Sequence, residues 1–263
     1  MKPSSGIEPQ VIGLDARRRW GILAICCTSL FVVGLDTTIV NVALPTIGEG
    51  FRVGTRGLEW VVNAYTLVLA SLLISSGAVA DRFGRRRVFQ IGLVVFGVAS
   101  IACALAPSVE VLIAARIVQA SVSMLSPVAL AIVVNVMTDP KERAKAIGVW
   151  AAVFGLSMAA GPIVGGVLIE SFGWRSVFWI NVPVILAVLV LTAVFVPESR
   201  AQQSRRLDLP GQLLLVILVG GAVALLIEGP RIGWFSAAAT AGYVVVAAAL
   251  AAFIRVESRK REH

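Results

Sequence analysis

Apolar residues in this chain arrive in blocks of roughly 20, and about 20 apolar residues in a helix cross the ~30 Å hydrocarbon layer. Short charged or Pro/Gly-bearing breaks part the blocks. Eight spans follow, near Trp20–Leu44, Leu58–Ala80, Val88–Ala106, Val109–Met137, Ala144–Ile169, Val177–Val196, Gly211–Ile227 and Phe235–Ile254. The fourth is longer than a bilayer requires, which predicts tilt or extension beyond it. Hydrophobic residues make up 58% of the chain and charged ones 14%, against about a quarter charged in a soluble domain. The fold class is therefore all-α, a polytopic membrane protein with eight transmembrane helices.

The net charge is +8, and its placement argues against a nucleic-acid partner. Eighteen of the lysines and arginines fall in the N-terminal segment, the 2–3, 4–5 and 6–7 loops and the C-terminal tail. Only Arg52, Arg56, Arg175 and Arg231 fall on the other side, and Arg116 lies within a span. Such asymmetry is the positive-inside pattern, so both termini are expected in the cytoplasm. The expected location is the cell (inner) membrane. The first span is too long for a secretory signal and no small-residue cleavage site follows it, so it reads as an anchor. Trp60, Trp174 and Trp234 stand at outer span ends and Trp20 at an inner one, as an aromatic belt requires.

Cys26, Cys27 and Cys103 fall inside spans and read as small packing residues. The single histidine, His263, is the last residue. No metal site, cofactor or His-based catalytic triad is expected, and nothing marks the chain as an enzyme. The organisation predicted is a cytoplasmic N-terminal segment (1–17), a six-helix bundle (18–197), a cytoplasmic linker (198–210), a helix pair (211–254) and a basic cytoplasmic tail (255–263). A weak three-plus-three symmetry pairs Asp36…Pro45 in span 1 with Arg116…Pro127 in span 4, as inverted repeats do in secondary transporters.

Two charges sit at membrane depth. Asp36 lies in LDTTIVNVALP (35–45), where a charge is costly unless it faces protein or water. It is either a partnered structural acid or a proton carrier or cation anchor. A buried carboxyl is pulled two ways, towards the neutral acid by low dielectric and towards the carboxylate by a nearby cation. Thr37 and Asn41 add a polar face on the same helix. Arg116, Gln119 and Ser123 form one polar stripe in span 4 at i, i+3 and i+7. That stripe is either interhelical glue or the partner that tunes the acid of span 1. Asn63 and Thr66 of span 2 are expected to line the same cavity. Span 5 carries GVWAAVFGLSMAAGPIVGGVL (148–168), with a helix-bending proline and glycines that admit a close neighbour. It is not a phosphate loop, because no Lys-Ser/Thr follows.

Together these stretches resemble the major facilitator superfamily. GAVADRFGRRRV (77–88) is similar to its signature between spans 2 and 3, with Val79 where leucine is usual. LIAARIVQA (112–120) is similar to the span-4 motif, with Ala120 in place of glycine. The 148–166 segment resembles the antiporter motif, matching at Gly148, Gly161, Pro162, Gly165 and Gly166, with Ser157 replacing a glycine. LDTTIVNVALP, WRSVFWINVP (174–183) and LIEGPRIGW (226–234) resemble the fourteen-span drug:proton antiporter group.

The resemblance implies a six-helix N-terminal bundle that forms one half of a two-half, alternating-access transporter, plus a two-helix hairpin. It implies proton coupling or substrate binding by Asp36, Arg116, Asn41 and Gln119. A cytoplasmic gate would comprise Gly77, Asp81, Arg82, Gly84, Arg85 and Arg86, with Asp81 latched by Arg85. Gly161–Pro162 would be the bend that limits leak. The implied function is proton-coupled efflux of drugs or other small lipophilic compounds, by a truncated or split form. The alternative is a non-transporting fragment or partner-binding subunit lacking the second half. Expected partners are membrane lipid, protons, a small-molecule substrate, and a missing C-terminal half or a second copy of the chain.

Overall fold

The computed structural model describes residues 14–121, 125–199 and 209–261, and these are helical almost throughout. In hydrocarbon a backbone must satisfy its own polar groups, which an α-helix does within one segment. In chain order the helices are α1 (Ala16–Phe51), α2 (Thr55–Phe83), α3 (Arg85–Ala104), α4 (Val109–Ala120), α5 (Leu125–Val136), α6 (Pro140–Phe172), α7 (Ser176–Trp179), α8 (Asn181–Phe195), α9 (Leu209–Ile232) and α10 (Ala237–Arg261).

Among the described residues, seven stretches are long and apolar enough to cross a membrane, counting α4 with α5 and α7 with α8 as one each. The 29-residue α2 stands where the remaining expected span lies. Several helices outrun the hydrophobic blocks. α1 passes through Pro45 and stops at Arg52, whose φ of 54° is left-handed. α6 runs unbroken through Pro162. Its start is set by Asp139, whose Oδ1 accepts from the Lys141 backbone N–H at 2.7 Å, with Pro140 in the first turn.

α1 is the central helix, packed against α6, α8 and α5. Its closest neighbour is α6, and the contact is a small-residue seam. A Cβ on Gly34 would strike Ser157. One on Gly161 would strike Thr38, and one on Gly165 would lie 2.8 Å from Ile39 Cγ1. Ser157, Gly161 and Gly165 recur every fourth residue, the spacing that lets two membrane helices approach closely. A Cβ on Gly148 or Gly166 of the same stretch would meet nothing within 4 Å.

Two apolar clusters fill the bundle. One joins Ile22, Cys26, Phe89, Phe96, Ile132 and Ile185. The other joins Ile39, Ile47, Val61, Leu112, Val177 and Phe178. Polar residues stand at or beside the boundary between the two on α1, α3 and the α7–α8 stretch. Asp36 lies between Val33 of the first cluster and Ile39 of the second, next to Leu35 of the second; Ser100 lies between Phe96 and Cys103, and Asn181 between Phe178 and Ile185. A polar layer therefore crosses the bundle at mid-depth.

At the end bearing Arg85 and Arg143, α2 turns into α3 at Gly84, whose φ is 102°. Glycine adopts that conformation without a Cβ penalty. The new helix start is tied to the stretch of chain after α8. Ser199 O accepts from the Arg85 N–H at 2.9 Å, and Glu198 Oε1 from the Arg86 N–H at 3.1 Å. Arg86 Nη2 donates to Ala193 O at 2.6 Å, and Arg85 Nη1 to Ala131 O at 3.4 Å. Arg19 of α1 reaches both oxygens of Glu142 on α6 at 2.9–3.1 Å. This partly exposed pair contributes about 1 kcal/mol at most.

α9 and α10 pack on each other where Gly221 meets Val246 and Gly242 meets Leu225. α9 also lies on α2, with Gly220 against Leu67. At the far end of that contact Glu228 accepts from Arg56 and, at 3.1 Å, from Trp60 Nε1. The hairpin is thus fixed to α2.

Candidate functional site

The polar layer centres on Asp36. Its side chain is fully buried, and Arg116, Gln119, Asn181 and Ser100 around it are 0–1% exposed. Helix phase makes this possible: Arg116 and Gln119 stand three apart on α4 and so share one face. Arg116 Nη1 donates to Asp36 Oδ2 at 2.5 Å and to Gln119 Oε1 at 2.6 Å. Asp36 Oδ1 accepts from Gln119 Nε2 at 3.1 Å and from Asn181 Nδ2 at 2.9 Å. Both amides spend their second hydrogen on Ser100 Oγ of α3, at 2.9 and 3.3 Å. Two amides therefore bridge one carboxylate oxygen and one hydroxyl.

The guanidinium is covered by aromatic rings. Its Cζ stands 3.9 Å from the centroid of Tyr65 on α2 and 6.0 Å from that of Phe178 on α7. A stacked, desolvated cation gains roughly 2 kcal/mol or more from such a face. Cys103 Sγ completes the shell, 3.9 Å from Gln119 Oε1. A buried ion pair stands only when its remaining polar atoms are satisfied, and nearly all are. The exceptions in this cluster are Arg116 Nε and Asn181 Oδ1.

The residues expected from sequence divide in two. Asp36, Arg116 and Gln119 meet in the cluster. Asn41 does not: it is exposed, and its Nδ2 donates to Thr37 O at 3.4 Å. On α2 it is Tyr65, not Asn63 or Thr66, that faces Arg116. Thr66 is exposed and donates to Val62 O. Ser123 lies outside the described residues. Gly77 and Asp81 lie on α2, but their surroundings are outside the described residues. Of the other expected gate residues, Arg82 lies over Phe83, 5.6 Å from its centroid. Gly84, Arg85 and Arg86 form the clasped turn above. Sequence reasoning missed Asn181, Ser100 and Tyr65. Asn181 alone left a signal, as an amide opening an apolar stretch before Pro183. Among the described residues no group of acidic, Cys or His side chains is placed to hold a metal ion.

A buried acid held by a cation and two amides stands at the middle of a bundle of membrane-length apolar helices. The family model for the Major Facilitator Superfamily matches residues 26–257. The chain belongs to the major facilitator superfamily. Within that superfamily it is 44% identical to the multidrug resistance protein Stp of Mycobacterium tuberculosis, over 88% of this chain and 43% of the relative. It is 39% identical to the puromycin resistance protein pur8 of Streptomyces alboniger, over 95% of this chain and 50% of the relative. Identity to the multidrug efflux pump LfrA of Mycolicibacterium smegmatis is 38%, over 92% and 48%. The chain spans about half the length of the curated relatives it matches. Two solved structures share the fold at a TM-score of 0.61. The human organic anion transporter MFSD10 is 18% identical, with 90% of this chain and 70% of that one covered. The POT family transporter PepTSo is 15% identical, with 95% and 55% covered.

Proposed function

We propose that this superfamily chain supplies the N-terminal portion of a proton-coupled exporter of small lipophilic compounds. The observation that carries the reading is Asp36 itself, fully buried at mid-bundle and held by N–H donors from α4 and α8. An acid in that setting exchanges a proton only if its cation and its amides give way, which ties protonation to helix position. Asp36 is the proton or cation site, Arg116 its counter-charge and Gln119 its support. Asn41, exposed on α1, lines the substrate path. The names of the relatives, multidrug resistance and efflux among them, point to the same class of cargo.

Both termini lie in the cytoplasm, by the lysine and arginine distribution. The turn of Gly77, Asp81, Arg82, Gly84, Arg85 and Arg86 gates that side. Residues 18–197 act as one bundle with residues 211–254 as an attached helix pair. Of the antiporter-motif residues, Gly161 and Pro162 set the bend of α6 that limits leak, and Gly165 holds that stretch against α1. Transport belongs to the bundle joined to a second transporter half.

Residues 1–263 joined to the second half of the M. tuberculosis Stp relative should drive ethidium efflux from everted vesicles under a proton gradient. Asp36→Asn should reduce that efflux more than about tenfold, the loss of an interaction worth over ~1.4 kcal/mol. Unchanged ethidium efflux in Asp36→Asn would sink the role of Asp36. No efflux from the parent fusion would favour a partner-binding subunit instead.

A further inference from the structure

One acceptor in the polar layer has no partner, and it belongs to a residue that touches Asp36. Asn181 Oδ1 is buried and makes no hydrogen bond. Its amide nitrogen spends both hydrogens, on Asp36 Oδ1 at 2.9 Å and Ser100 Oγ at 3.3 Å. That orientation suits a carboxylate, which only accepts. A neutral acid also donates, and its proton needs an acceptor.

Every other neighbour fails as that acceptor. Oδ2 faces Arg116, which only donates. Gln119 Oε1 is already taken by Arg116 Nη1 at 2.6 Å and faces Cys103 Sγ. Ser100 Oγ already accepts twice. Among the described residues, the titratable groups against the cluster are Arg116 from α4, Tyr65 from α2 and Cys103 from α3. α5, α7 and α8 carry no titratable side chain, and the charges of α6 lie at its two ends.

We propose that Asn181 reads the protonation state of Asp36 by turning its side-chain amide over, nitrogen towards the carboxylate and oxygen towards the acid. The inference rests on Asp36 as the proton site. The proton comes from water, bonds to Asp36 Oδ1 and leaves Arg116 cationic, so the pair passes from net zero to +1. Rotation of the amide by half a turn exchanges oxygen for nitrogen within the same shape. The 2.9 Å separation suits an O–H···O bond as well as the N–H···O bond now present. Ser100, so far only an acceptor, then donates its hydroxyl to the turned carbonyl. Each orientation leaves one amide atom unpaired, so neither is locked. Asn181 opens α8 directly after the short α7, so the change is delivered at a helix junction.

The test uses residues 1–263 in lipid vesicles with carbon-13 in the asparagine side-chain carbonyl, followed by infrared difference spectroscopy on acidification. A protonated-carboxyl band should appear that Asp36→Asn lacks. An asparagine carbonyl band should shift in step with it, and both Asp36→Asn and Asn181→Leu should remove that shift. In Asn181→Leu the carboxyl band should remain but move to higher frequency, having lost its acceptor. Asn181→Ser serves if the leucine variant does not fold. A carboxyl band with no accompanying asparagine shift, or a shift that survives substitution at position 181, overturns the amide switch alone. Absence of any band assigned to Asp36 overturns the proton-site reading with it.

Discussion

Arg116→Met should lower the melting temperature of the bundle sharply, and Asp36→Asn made in the same chain should restore most of it. The single change leaves Asp36 buried with no cation while its two amide donors remain. Removing one partner of a buried pair costs about 3–5 kcal/mol, because the survivor is uncompensated. That is a large share of the ~5–15 kcal/mol that holds a domain folded. The double change removes both charges. Asparagine keeps an oxygen for Gln119 and Asn181, and methionine fills the space beneath the Tyr65 ring with a favourable sulfur contact. Pairs replaced in this way are often neutral or better in stability. Fluorescence-detected thermal melts of the purified chain give the measurement. Equal melting of Arg116→Met and the parent would show that the pair carries no such strain.

The double variant also separates two roles that the sequence leaves joined. Asp36 reads equally well as a structural acid or as a proton carrier, since both want burial and a cation. A double variant that folds with neither charge and, joined to the second half of the Stp relative, drives no efflux where the parent fusion does assigns the charges to transport rather than to assembly.

Much of the site is legible in the sequence. Charged and amide side chains in an apolar stretch are costly, so Asp36, Arg116 and Gln119 announce themselves, and the three-residue spacing puts the latter two on one face. What is not legible is phase and distance. A single step along α2 rotates the side chain by about 100°, so Asn63, Tyr65 and Thr66 face different ways. Only packing against α4 selects Tyr65. Ser100 is one serine among many, and serines in membrane helices usually bond their own backbone, as Ser29 does to Cys26 O. The pairing of Glu198 with the α3 start spans 112 residues, and that of Glu228 with Trp60 spans 168. No local pattern encodes such partners. The spans themselves are readable because hydrocarbon thickness sets their length.

The antiporter-like stretch of α6 shows the same limit and yields the second large effect. Sequence treats Gly148, Gly161, Gly165 and Gly166 as equals. In the bundle a Cβ on Gly161 or Gly165 would run into α1, whereas one on Gly148 or Gly166 would meet open space. Gly161→Val should therefore cost the chain roughly 1–3 kcal/mol from overpacking, while Gly166→Val stays within about 0.5 kcal/mol. The cost is not confined to packing. Thr38, which the new side chain strikes, stands two residues from Asp36 on the same helix. Pushing α1 away from α6 moves the acid relative to Arg116 on α4 and Asn181 on α8. Efflux by the Stp fusion should fall with the stability in Gly161→Val and not in Gly166→Val. A double-mutant cycle isolates the contact: Thr38→Gly clears the space that Gly161→Ala fills. The two changes together should then destabilise the chain less than the sum of each alone. Additive melting shifts would mean that the seam tolerates separation, and that α1 is held in place by its polar layer rather than by α6.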